Sequence, residues 1–146
     1  MPITINGSGT VTGISAGGLP DDCITTADIA ANAVTYAKIG TTEQGQLCKA
    51  WVNFNGTGTV AIRASYNVSS ITDNNVGDYT VNFTTAMVDA NYAVAGASTI
   101  GTGNGSLSTL KIPYTSIPTS SALRFRSSDS GTGTIDSEWI HLCFFR

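Results

Sequence analysis

From residue 46 onward the sequence consists of short runs in which apolar and polar residues alternate, each run closed by Gly, Asn, Asp, Ser or Pro. Val60, Ile62, Ala64, Tyr66 and Val68 interleave with Ala61, Arg63, Ser65 and Asn67. Tyr79, Val81 and Phe83 interleave with Thr80, Asn82 and Thr84, and Leu123 and Phe125 with Arg124 and Arg126. Leu110, Ile112 and Tyr114 around Lys111 and Pro113 read the same way. A strand turns successive side chains to opposite faces, whereas a helix needs apolar residues to recur near every 3.6 positions. Period two therefore predicts half-buried strands. Turn-rich stretches divide them: NGTGT at 55–59, DNNVGD at 73–78, GTGNGS at 101–106, IPTSS at 117–121 and SDSGTG at 128–133. Short strands at this spacing predict an all-β fold, an antiparallel, jelly-roll-like β-sandwich over residues 46–146.

Composition points the same way. Only 12% of residues are charged, against about 25% in ordinary soluble domains. Glu and Lys, which build and coat helices, are scarce. The last run, IDSEWIHLCFFR, is apolar on both faces: Trp139, His141, Cys143 and Phe145 on one, Ile140, Leu142 and Phe144 on the other. A strand covered on both sides has this pattern. One cover is the domain's own core; the other is either a second layer of the same sandwich or another subunit.

Residues 1–45 have a different texture. Residues 1–20 are rich in Gly, Ser and Thr, with Ile3, Ile5, Val11 and Ile14 as apolar punctuation, and read as an extended segment. Then Ile24, Ile29, Val34 and Ile39 recur at every fifth position. Five steps on a helix advance about 500°, which scatters the side chains around the axis. In a strand an odd step alternates faces. Period five predicts a repeat of turn-like units, with room for one short helix near 26–33 capped by Thr26. These apolar residues need a partner outside the segment.

Several function classes lose support. Net charge is −3, so the electrostatic footprint of a nucleic-acid binder is missing. No run of 18 apolar residues suggests a membrane span. The opening MPITINGSGT lacks the basic and apolar regions of an export signal. Three cysteines, Cys23, Cys48 and Cys143, form no framework spacing, so free thiols are expected.

Two stretches carry a resemblance. KAWVNFNGTGTVAIRASYNVSSITDNNVGDYTVNFTTAMVDANYAVAGAS, residues 49–98, resembles a C-terminal domain of tail-fibre proteins of tailed bacteriophages. ITINGSGTVTGISAGGLPDDCITTADIAANAVT, residues 3–35, resembles the N-terminal and shaft-like parts of such fibres. The resemblance implies a homotrimer that assembles in the host cytoplasm and resides in the virion. Residues 1–45 would attach to a tail, baseplate or head protein and trimerise; residues 46–146 would form the tip. The function implied is adhesion to a bacterial surface glycan or lipopolysaccharide. The alternative is a structural head-decoration or baseplate fibre that binds no receptor.

Candidate residues follow. Ile24, Ile29, Val34, Ile39, Trp139, His141 and Phe145 are candidates for the trimer interface. Carbohydrate recognition uses aromatic platforms beside amide and hydroxyl groups, which nominates Tyr92, Asn104 and Tyr114. Arg124 and Arg126, on one strand face, suit acidic sugars or phosphates.

Catalysis has weaker footing, and no enzymatic activity, cofactor or metal is expected. Glycoside hydrolysis uses two carboxyl groups about 5–10 Å apart; Asp136 and Glu138, read on one strand face about 7 Å apart, are the nearest fit. A triad drawn from His141, any Ser and any Asp has no specificity, and His141 is expected to be buried and hydrogen-bonded. DNNVGD departs from the EF-hand pattern, with Gly77 fifth and Thr84 twelfth. GTGNG lacks the spacing and the following helix of a phosphate loop.

Overall fold

The computed structural model describes residues 27, 29–99, 107–129 and 133–146. The chain divides after Ile39 into two units.

In the first unit, Ala33 N–H bonds the carbonyl of Ala30, and Lys38 N–H that of Thr35. Asn32 takes a left-handed conformation, φ 65°, and Tyr36–Lys38 form one 3-10 turn. The period-five segment is thus a series of turns over its described part. The helix expected near 26–33 is not found among the described residues there; the Asn32 conformation would interrupt it. Ile29 and Val34 are exposed and Ile39 is half-buried, while Ile24 lies outside the described residues.

The second unit, Gly40–Arg146, opens with a short helix α1 (Thr41–Gln46). Among the described residues nine strands follow: β1 (Cys48–Asn55), β2 (Ala61–Tyr66), β3 (Val68–Asn75), β4 (Asp78–Phe83), β5 (Ala93–Thr99), β6 (Leu107–Lys111), β7 (Ala122–Asp129), β8 (Gly133–Thr134) and β9 (Trp139–Phe145). Every pairing is antiparallel. The first sheet runs β2–β1–β9–β5 and the second β3–β4–β7, with β8 beside β7. Strand β6 joins them: Leu107 and Ser108 pair with β5, and Thr109, Leu110 and Lys111 pair with β7.

The core lies between the sheets. Ala50, Val52 and Phe54 of β1 and Ile140, Leu142 and Phe144 of β9 meet Tyr79, Val81 and Phe83 of β4 and Leu123 and Phe125 of β7. Phe54 contacts Tyr79 and Phe125 at ring-centroid distances of 5.3 and 6.3 Å, and Phe83 contacts Phe144 at 4.9 Å. These steep edge-to-face contacts add to the area burial that holds the layers together.

Three strand expectations are corrected. The run 60–68 is not one strand. Asn67 is left-handed, φ 55°, so β2 stays at the edge of the first sheet while Val68 enters the core from the edge of the second. Asn67 is tied in place: its Nδ2 donates to Lys49 O and Thr85 O, and its Oδ1 accepts from Thr85 N–H at 2.7 Å. The run 110–114 ends at Lys111, because Pro113 has no N–H for a ladder. Asp136 and Glu138 precede β9 and belong to no strand.

Candidate functional site

Strand β9 lies between β1 and β5 with its inward residues in the core. Among the described residues no second layer covers its outward row. Trp139 is 41% exposed, His141 is exposed, and Cys143 and Phe145 are half-buried. The expectation of a buried His141 is therefore corrected: the residue sits on the outward face, its ring parallel to that of Trp139, with centroids 6.3 Å apart and planes 8° apart. The Arg63 guanidinium lies 3.8 Å from the Trp139 ring centre, and its Nη1 donates to Glu138 O at 2.6 Å. Trp51 and Tyr66, opposite each other on β1 and β2, add two exposed rings, and Ala93, Ala95 and Ala97 of β5 extend a face whose aromatic centre carries the Arg63 cation.

Cys48 and Cys143 are both free and half-buried. Burial pushes the Cys143 thiol up, and the neighbouring Cys48 adds to the effect; Cys48 Sγ donates to Ala50 O.

The outer face of the second sheet is chemically different. Register places Asp78, Thr80 and Asn82 of β4 opposite Arg126, Arg124 and Ala122 of β7. On the next strand, Ser70 and Thr72 of β3 lie opposite Asn82 and Thr80. Asn82 Nδ2 donates to Ser70 Oγ and Thr72 Oγ1, both at 3.0 Å, and Asn74 Nδ2 to Thr80 Oγ1 at 2.9 Å. The result is a flat lattice of hydroxyls and amides across two strands.

The charged part of this face centres on Asp78, a residue only 3% exposed. Arg124 grips it with two bonds, Nε to Oδ1 at 2.7 Å and Nη2 to Oδ2 at 3.0 Å. Arg126 adds Nε to Oδ2 at 2.7 Å. The Arg124 and Arg126 guanidiniums beside it hold the Asp78 carboxyl below its usual range, Arg124 most strongly, against the opposing effect of burial. Both arginine side chains stay near two-fifths exposed, 40% and 43%. They are fixed from below and open from above. Across the next pairing, Lys111 of β6 stands directly opposite Arg126.

Tyr92 and Tyr114, also nominated, differ in burial. Tyr92 is a packing residue: it contacts Phe83 and Phe144 at 5.7 and 5.9 Å, and its hydroxyl lies 3.1 Å from the carbonyls of Thr119 and Ala122. Burial pushes its phenol up to about 12. Tyr114 is 97% exposed in the β6–β7 connection. That end of the sandwich also carries α1, since β1 begins where β9 ends. Asn104 lies outside the described residues.

The proposed carboxylate pair also dissolves. Asp136 Oδ1 accepts from Gly77 N–H and from the Tyr79 hydroxyl, both at 2.7 Å. Burial first, then Asp136, keeps the Tyr79 phenol protonated far above its ordinary range. Asp136 thus ties a turn to the core, and Tyr79→Phe is expected to cost about 1–2 kcal/mol, read as a lower urea midpoint at unchanged slope. A midpoint equal to wild type would show that this hydroxyl carries no weight.

A cleft of about 440 Å³ opens where β5 and β6 part, lined by Val94, Gly96, Leu110, Leu123, Phe125 and Leu142 among others. Its walls are mainly core side chains. Among the described residues no three His, Cys, Asp or Glu side chains gather as metal ligands, and no helix is long and apolar enough to cross a membrane.

Compared with protein-family models, curated proteins and solved structures, the chain matches none.

Proposed function

We propose that this chain is a subunit of a bacteriophage virion fibre whose β domain adheres, without covalent chemistry, to a glycan on the bacterial surface. The observation that carries the reading is the outer face of the second sheet. There Ser70, Thr72, Asn74, Thr80 and Asn82 form a pre-ordered hydroxyl and amide lattice beside two half-exposed arginines. Sugars present the same groups, and a rigid donor and acceptor array meets them with little ordering cost. The resemblance of residues 49–98 to phage fibre tips points the same way.

The strand order, β1–β9–β5 facing β4–β7–β6, supports the jelly-roll-like form of the sandwich. The aromatic outer face of the first sheet, with Trp51, Tyr66, Trp139 and the Arg63 guanidinium on Trp139, supports a homotrimer, because exposed aromatic residues with Arg are enriched at subunit interfaces. Three copies multiply weak sugar contacts into useful avidity.

Two measurements test this. Light scattering is expected to give three times the 15.1 kDa chain mass; a monomer at micromolar concentration would remove the trimer. The labelled full chain is expected to bind strains carrying a surface polysaccharide and to lose them when the polysaccharide is deleted. Absence of binding across a broad strain panel would favour the decoration fibre.

A further inference from the structure

The second sheet's outer face carries more positive charge than its own structure uses. Three cations, Lys111, Arg124 and Arg126, project from its outward rows, and register gathers them around one carboxylate, Asp78. The other outward positions of β3 and β4, namely Ser70, Thr72, Asn74, Thr80 and Asn82, are neutral. The local balance is therefore positive in a chain whose net charge is −3. Lys111 and Arg126 face each other across a strand pair, and like charges directly opposite are unfavourable. Lys111 is exposed and has no carboxylate partner among the described residues. Like charges facing each other and held by a buried anchor suit an anionic ligand.

The anchor sets the geometry. Asp78 engages Nε and Nη2 of Arg124 and Nε of Arg126. Arg126 keeps its terminal nitrogens for another acceptor, and Lys111 stands on its open side. Arginine's planar fork pairs with two oxygens of one anion. Neutral hydroxyl and amide groups begin one strand further on, at Thr80, Asn82 and Thr72. We infer that the outer face of the second sheet binds an acidic saccharide, its phosphate or carboxylate seated between Lys111 and Arg126 and its sugar ring over the β3–β4 lattice. This rests on the adhesion reading above and names its ligand class: a glycan with an anionic oxygen group rather than a neutral one.

The test uses the full chain and three oligosaccharide sets of matched length: phosphorylated, uronic-acid-containing and neutral. The acidic sets are expected to bind and to weaken as salt rises from low to physiological strength. Whichever acidic set binds more tightly identifies the anion's source. Lys111→Gln, on an exposed side chain without an ion pair among the described residues, is expected to keep or slightly raise the unfolding midpoint, since it removes a like-charge pair, and to weaken acidic binding about tenfold. Arg126→Lys keeps the charge but loses the fork, and is expected to weaken it similarly. Neutral sugars binding as well as acidic ones would overturn the inference and leave glycan adhesion standing. Acidic binding unmoved by either substitution would place the anion elsewhere and overturn the inference too. Failure of all three sets, together with failure to bind any bacterial strain, would overturn both readings.

Discussion

Replacing Asp78 with alanine is expected to destabilise the β domain by about 3 kcal/mol. The carboxylate is buried and accepts three bonds from two guanidiniums. Bonds to charged groups contribute about 1.5–3 kcal/mol each. The sum is not reached, because both arginines are near two-fifths exposed and water replaces part of what they lose. What remains is a pair of freed cations on one strand with Lys111 across from Arg126.

The pH dependence separates this charge effect from packing. The folded-state pKa of Asp78 is depressed by its arginines. Its contribution is therefore fully present above the unfolded value, near 4, and is lost as pH falls through the folded value. Wild type should lose stability below about pH 4 more steeply than Asp78→Asn, which has no such proton to take up. Asp89, whose carboxyl is also held low by Arg146, leaves a residual slope in both proteins. Urea midpoints at pH 7 and pH 3 measure the difference. Parallel losses in wild type and Asp78→Asn would mean that the ion pairs contribute nothing to the acid response.

Much of the architecture was legible because period two survives wherever one strand face meets the core. The two faces of 139–145 fell as expected, Ile140, Leu142 and Phe144 inward and Trp139, His141 and Cys143 outward. The break at Asn67 was hidden because alternation continues through it; the signal lay in Asn, which tolerates left-handed backbone better than other residues with side chains. Tyr92 looked like a surface platform, but its hydroxyl reaches the carbonyls of Thr119 and Ala122, from a connection that sequence does not position. The arginine site was half legible. Arg124 and Arg126 sharing a face follows from their spacing, whereas Asp78 beneath them depends on the register of β4 against β7, strands 46 residues apart at the bonded pair. Lys111 joins only because β6 pairs with both sheets. Long-range register is set by the packing of whole faces, which local pattern does not encode.

Gly77→Ala tests how tightly that register is locked, and is expected to cost about 3 kcal/mol or more. Gly77 takes φ +62°, and a Cβ there would lie 2.5 Å from Ile135 N and 2.7 Å from the carbonyl oxygens of Ile135 and Ser127. All three are backbone atoms and cannot rotate away. The turn is also bonded on every side: Gly77 N–H donates to Asp136 Oδ1 at 2.7 Å, and Gly77 O accepts from Ser127 N–H at 2.8 Å. Ile135 N–H closes the set on Ser127 O at 2.9 Å. The added methyl must therefore push the β3–β4 turn off β7 and off the segment leading to β9. Gly58→Ala supplies the control. Its φ is +61°, nearly the same, but a Cβ there meets nothing within 4 Å. It should cost only the left-handed penalty of about 1–2 kcal/mol. The difference between the two urea midpoints isolates the steric lock from the backbone preference. Because β4 carries Asp78 immediately after this turn, Gly77→Ala is also expected to weaken acidic-saccharide binding in whatever fraction remains folded, while Gly58→Ala leaves it intact. Equal destabilisation by the two substitutions would mean that the turn gives way freely, and that the Asp78 anchor is positioned by the β4–β7 ladder alone.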